Sequence, residues 1–421
     1  MSGLVSPSLP DGTRRNHRRR LNRSSDEEEQ HLPLTPVSIA SNSDSFVSIP
    51  ENLVSLATFE HLGYNSETAT RIWEYWTNWP TWGSQRGTDD IGGVPFIEVA
   101  EYYINSSLDT CEDDDDQWLH CMNLYGINCE FQEAIMDPKF RHIRLTESCK
   151  YWVQDTIKLR YRGLEAAQTA SRERCMASRR KASQADSGQR SASDKKDYSR
   201  MVSWLSRETA LSTAATNAAA NAPGYTTLYK VNDQAQLDRV FGNNGHVNVG
   251  WLLSRKAADF SLVQEDLYLV LDREVAEYHA CYMKRRSICS AVGIIHIAIP
   301  NSVIESLSPP DIQHIYWPST EWKSLIFNCR RQQVPLLSEL QKYNLATILV
   351  GTICGKSNIS FRNMLSPDEV TERMVLKPKD GRNAIQYVFK GEDGFILVED
   401  SSRVVVFPLT TREFEAWSDA V

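Results

Sequence analysis

The chain reads Asp259-Phe260-Ser261, then Leu267-Tyr268-Leu269-Val270-Leu271-Asp272, then Ala276-Glu277-Tyr278. The middle run is apolar and β-prone over Leu267 to Leu271, as a buried strand requires. Asp272 then stands where a helix N-cap belongs, and Val275, Ala276, His279 and Met283 share one helical face behind it. The same texture continues on either side. Thr226 to Val231 is β-prone, Gln234 to Phe241 fits a short helix, and Val292 to Ile299 is a β-branched strand closed by Pro300-Asn301. Trp322 to Phe327 and Ala346 to Ile353 read as further strands. This mixture predicts an α+β domain over residues 223–356.

Beyond it, Ala384–Lys390, Phe395–Glu399 and Val404–Leu409 read as three strands. Gly391-Glu392-Asp393-Gly394 and Asp400-Ser401-Ser402 carry suitable turn chemistry. Residues 357–421 are therefore expected to be a β-meander appendage packed on the preceding domain.

Towards the N-terminus, residues 51–165 are expected to be helical. Ser66 is the expected cap of a helix with Ala69, Ile72, Trp73 and Trp76 on one face, ended by Trp79-Pro80. A second helix is expected from Pro95 to Asn105, and others over Gln117–Leu124 and Glu147–Ala167. The acidic turn Glu112 to Asp116 lacks the alternating ligands and glycine of a calcium loop and reads as solvated. Residues 166–222 form a basic helix and linker, with a short amphipathic helix at Met201, Val202, Trp204 and Leu205 that ends in the Ala/Asn-rich run 214–222. Residues 1–50 read as a disordered basic/acidic tail. Its cluster Arg14-Arg15-Asn16-His17-Arg18-Arg19-Arg20 suits nuclear import or phosphate binding, and Ser24-Ser25 precede an acidic run that suits phosphorylation.

A net charge of −8 gives no global attraction to nucleic acid or anionic membrane. No run is apolar enough for a membrane span, and no secretory signal is seen. The nine scattered cysteines read as reduced thiols in the cytoplasm or nucleus. His120, Cys121, Cys129, His142 and Cys149 lack the paired spacing of a zinc site, so no metal is expected. His296 interrupts an apolar strand and reads as a hydrogen-bonded core histidine, and Cys329-Arg330-Arg331 as solvent-facing arginines after a strand.

The opening stretch resembles a motif of ADP-ribosyltransferase-like domains, in which a Phe-Ser … Tyr-Leu-Thr strand leads into a helix bearing an alanine and an aromatic residue. Leu228-Tyr229-Lys230 stands where such domains have a Leu-Tyr-Arg or Leu-Tyr-His strand, and Thr320-Glu321-Trp322 where many place an acidic residue. The resemblance covers residues 228–330, about a quarter of the chain. It implies split, antiparallel-rich β-sheets with short helices, and cleavage of the nicotinamide–ribose bond of NAD through an oxocarbenium-like state. Glu321 would be the catalytic carboxylate, Tyr268 or Tyr278 would stack on nicotinamide, and Lys230 would meet the adenosine side. A lysine lacks the planar fork of arginine, and Val270 stands where threonine or serine is usual. The acceptor would be a protein or nucleic acid. The rival reading is a non-catalytic interaction or scaffold protein.

Overall fold

The computed structural model describes residues 12–17, 46–79, 94–105, 107–186, 205–220, 222–241, 247–254, 258–262, 264–288 and 291–421. The architecture is α+β, as expected, with one mixed sheet and many helices. The strands among the described residues are β1 (Thr13–His17), β2 (Phe46–Pro50), β3 (Tyr225–Asp233), β4 (Leu267–Val270), β5 (Val292–Pro300), β6 (Ile312–Ile315), β7 (Ile348–Thr352), β8 (Ile385–Phe389) and β9 (Arg403–Leu409). Helices of seven residues or more are α1 (Leu56–Leu62), α2 (Ser66–Thr77), α3 (Phe96–Asn105), α4 (Asp115–Leu124), α5 (Cys129–Met136), α6 (Cys149–Asp186), α7 (Thr213–Ala220), α8 (Gln234–Val240), α9 (Arg273–Arg286), α10 (Thr320–Arg330), α11 (Gly391–Ser401) and α12 (Thr411–Ala420).

Strands β3 to β9 form one sheet in the order β6-β7-β8-β4-β3-β5-β9, antiparallel except for β6 with β7. The sheet has two unequal halves. Strands β3 and β5 pair along nine positions, and β4 and β8 along four, but β3 and β4 share only the pair Tyr229↔Val270. Alternation of side chains along each strand sets up two faces. On one, Leu228, Leu269, Ile297, Val350 and Val406 join a single apolar layer running across both halves. The other face is divided. Tyr229, Ile294 and Phe407 pack with α9 and the helices of residues 56–157, whereas Tyr268, Leu349 and Val388 pack under α10.

The helices 56–157 thus share a core with the sheet. Tyr282 Oη donates to the Ile135 carbonyl at 3.1 Å, Arg285 pairs with Asp137, and Arg286 with Asp155 at 2.7 Å. Within this layer α2 begins one residue earlier than its apolar pattern suggests. Asn65, not Ser66, is the cap, its Oδ1 accepting the Thr68 N–H at 2.9 Å.

Several expected elements differ. Trp322 to Phe327 lie in α10, not in a strand. Ser319 caps the helix by accepting the Trp322 N–H, and Trp322, Leu325, Ile326 and Cys329 fill one helical face. Phe395 to Glu399 belong to α11, so residues 384–409 are not a meander. The acidic Glu392 and Asp393 favour a helix start, and Gly394 lets the helix lie against the Phe389 and Thr347 backbones. The two remaining strands are not an appendage either: β8 lies between β7 and β4, and β9 flanks β5 at the sheet edge. The linker region begins with more helix than expected, since α6 runs to Asp186. A helix does form at the Ala-rich run, as α7, but Leu205 makes a bridge to Val406, and Met201, Val202 and Trp204 lie outside the described residues. In the N-terminal tail, β1 and β2 pair over five positions, with Ile49 buried beside Leu164 of α6. Those two described segments pair across about thirty residues of sequence, a contact that local composition does not reveal. Arg18, Arg19, Arg20, Ser24 and Ser25 lie outside the described residues.

Candidate functional site

The segment Asp259-Phe260-Ser261 is the hub of a polar network at the junction of the two half-sheets. Asp259 Oδ1 accepts from Arg330 Nε and Nη2 at 3.0 and 2.6 Å. Its Oδ2 accepts from the Cys354 N–H at 2.8 Å and from Gln386 Nε2 at 2.6 Å. Arg330 also reaches Asn358 Oδ1 at 3.0 Å and Glu147 at 3.4 Å. Burial pushes the Glu147 carboxyl up to about 7, against the opposing pull of Arg330.

Two residues further on, Ser261 Oγ shares a hydrogen bond with Tyr268 Oη at 2.7 Å and donates to Asp266. Tyr268 Oη also accepts the Phe260 N–H at 3.1 Å. Lys390 completes this part, donating to Asp266 Oδ2 at 3.0 Å and to the Phe260 carbonyl at 2.8 Å. Ser261, Asp266 and Lys390 are all buried. Enclosed in this way, the serine hydroxyl has no access to a substrate, and the group acts as a clasp on the loop before β4.

Where main-chain pairing between β3 and β4 stops, a side chain takes over. Lys230 Nζ donates across the gap to the Tyr268 carbonyl at 3.1 Å and to Ser254 Oγ at 3.3 Å. The lysine is half-buried, and desolvation lowers its ammonium to about 8. It stays mostly cationic at neutral pH and is suited to holding an anion.

The four residues singled out from the sequence are distributed unevenly. Lys230 and Tyr268 are brought together at the junction. Tyr278 is 6% exposed and belongs to the other cluster, edge-on to His142 at 4.5 Å and to Trp417 at 5.0 Å. Glu321 is exposed in the first turn of α10, while its neighbour Trp322 is buried and donates Nε1–H to the Thr352 carbonyl at 2.9 Å. No hydrogen bond or ion pair joins Glu321 to Lys230, Tyr268 or Tyr278 among the described residues.

Sequence reasoning missed Arg330, Gln386, Lys390 and Glu147. The expected solvent-facing position of Arg330 is overturned: it is 8% exposed and ion-paired. Its helical register carried the signal, since Arg330 lies four residues after Ile326 and eight after Trp322, on the buried face of α10. Among the described residues no three His, Cys, Asp or Glu side chains converge as a metal site, and no helix is long and apolar enough to cross a membrane. Comparison with protein-family models, curated proteins and solved structures returned no match to the chain.

Proposed function

We propose that this chain is a NAD-binding protein of ADP-ribosyltransferase-like build, with its dinucleotide site at the junction of the two half-sheets. The observation that carries the reading is the Lys230–Tyr268 contact. Two motif residues from strands that share a single paired position meet there, and the lysine places a positive charge where those strands diverge. A pyrophosphate on Lys230 leaves the rest of the dinucleotide to lie along the gap. The cytoplasm and nucleus both supply NAD for such a site.

Turnover through Glu321 has less support, because among the described residues no hydrogen bond or ion pair couples that carboxylate to the junction. A binding protein without turnover, presenting a protein or nucleic-acid partner with a nucleotide-dependent surface, is the form we favour. A scaffold that binds no nucleotide is the second reading. It is favoured by the saturated hydroxyl of Tyr268 and by the burial of Tyr278 between other rings.

Calorimetric titration of the full chain with NAD tests the first reading. Binding is expected, weakened about tenfold or more by Lys230→Ala, as loss of a charged hydrogen-bond partner implies. Failure to bind NAD at millimolar concentration leaves the scaffold reading. NAD consumption that disappears in Glu321→Gln restores the carboxylate to a catalytic role.

A further inference from the structure

The three-stranded half of the sheet carries a second, separate feature. Helix α9 packs on one end of its divided face, at Tyr229, Val292 and Ile294. Towards the other end of the strands the same face opens into a cavity of about 430 Å³. Side chains at alternate positions line it: Tyr225 from β3, His296 and Ala298 from β5, Arg403 and Phe407 from β9, with Ala218 of α7 at the wall. The size falls within the range of small-molecule sites.

Two polar groups in this lining have no hydrogen-bond or ion-pair partner among the described residues. His296, expected to be hydrogen-bonded in the core, is only 5% exposed, and its buried Nε2 has no hydrogen-bond partner among the described residues. Its ring packs edge-on to Tyr229 at 4.8 Å and lies 4.4 Å from Phe407. Burial, reinforced by Arg273, lowers its pKa to about 3, so the imidazole is neutral. Arg403 is exposed, with its guanidinium 4.8 Å from the centre of the Tyr225 ring, and no ion pair engages it among the described residues. No carboxylate is in the lining. A cation at the mouth and aromatic walls define the complementary ligand: a planar apolar body with one negative charge.

We propose that this cavity binds a small aromatic monocarboxylate, its carboxylate on Arg403 and its ring against Tyr225 and Phe407, close to His296. Such a carboxylate meets the planar guanidinium in bidentate fashion, and the ring covers apolar wall. The site shares no residue with the Lys230 junction and stands independently of the dinucleotide reading.

Titration of the full chain with 2-naphthoate, with 2-naphthalenemethanol as the uncharged analogue, is the test. Saturable one-to-one binding of the carboxylate is expected, with the alcohol about tenfold weaker or worse. Arg403→Gln, at an exposed position, should weaken 2-naphthoate by a similar factor without shifting the thermal midpoint. Ala298→Leu should reduce binding further by filling the cavity, and Lys230→Ala should change nothing. Absence of saturable binding overturns the proposal. So does equal affinity for the alcohol, or affinity untouched by Arg403→Gln.

Discussion

Asp259 Oδ1 holds both Nε and Nη2 of Arg330, tying the loop ahead of β4 to the last turn of α10. Both side chains are more than nine-tenths buried. Replacing Arg330 by methionine leaves a carboxylate without its counter-charge in a sealed site. The expected loss is about 3–5 kcal/mol, read from urea unfolding, because one half of a buried pair costs more to remove than both. The double variant Asp259→Asn with Arg330→Met should lose less than Arg330→Met alone.

Gly63 and Gly126 should not tolerate a side chain. Gly63 has φ +113 and ends α1, and a Cβ there would lie 2.1 Å from the Phe131 ring. Gly126 has φ +70, and a Cβ there would lie 2.0 Å from Thr68 Oγ1. The two glycines flank the Tyr64↔Ile127 bridge that joins α1 to the turn after α4. Either glycine to alanine should destabilise the chain by about 1–3 kcal/mol, seen as a lowered denaturation midpoint with unchanged slope.

Buried histidines should make the fold lose stability in acid, opposed in part by Glu147, whose raised carboxyl takes up a proton in the folded state near pH 7. Burial is the main cause holding His61 and His296 at about 3, far below an unfolded imidazole at 6.5. Between those values the unfolded chain binds protons that the folded chain refuses. Stability is therefore intact above pH 6.5 and falls as pH drops towards 3, by about 1.4 kcal/mol per pH unit for each histidine. Urea midpoints from pH 7.5 to 5 check the slope, and His296→Phe should remove one proton from it.

Lys230 gives the dinucleotide reading a pH signature. With its ammonium at about 8, the charge that holds a pyrophosphate is lost as pH rises through that value. NAD affinity should fall between pH 7 and 9, and Lys230→Arg should flatten the profile because guanidinium stays charged. An affinity independent of pH would detach Lys230 from the ligand.

What could be read in advance follows from how local each signal is. Strands β3, β4, β5 and β7 were legible because β-branched and apolar residues run together there, and α9 because its apolar face repeats with the helical period. Phe395-Ile396-Leu397-Val398 misled for the same reason. Four apolar residues in a row suit a strand or a helix equally, and packing against Phe389 decides for the helix. Of the candidate site, Tyr268 and Lys230 were legible as motif residues. The partners of Asp259 were not, since Arg330, Cys354 and Gln386 come from three segments 71 to 127 residues away. Long-range pairing of that kind leaves no trace in spacing.

The place of β8 in the sheet has a consequence for synthesis of the protein. Its five residues complete the pairing of both β4 and β7, yet they come later in the chain than either. A nascent chain that has exported everything up to residue 384 still presents two open strand edges, the kind of surface that invites association with other chains. A premature stop codon anywhere before that point would leave both edges permanently unsatisfied. Truncated products should therefore go to chaperones or aggregates and not persist as smaller folded units.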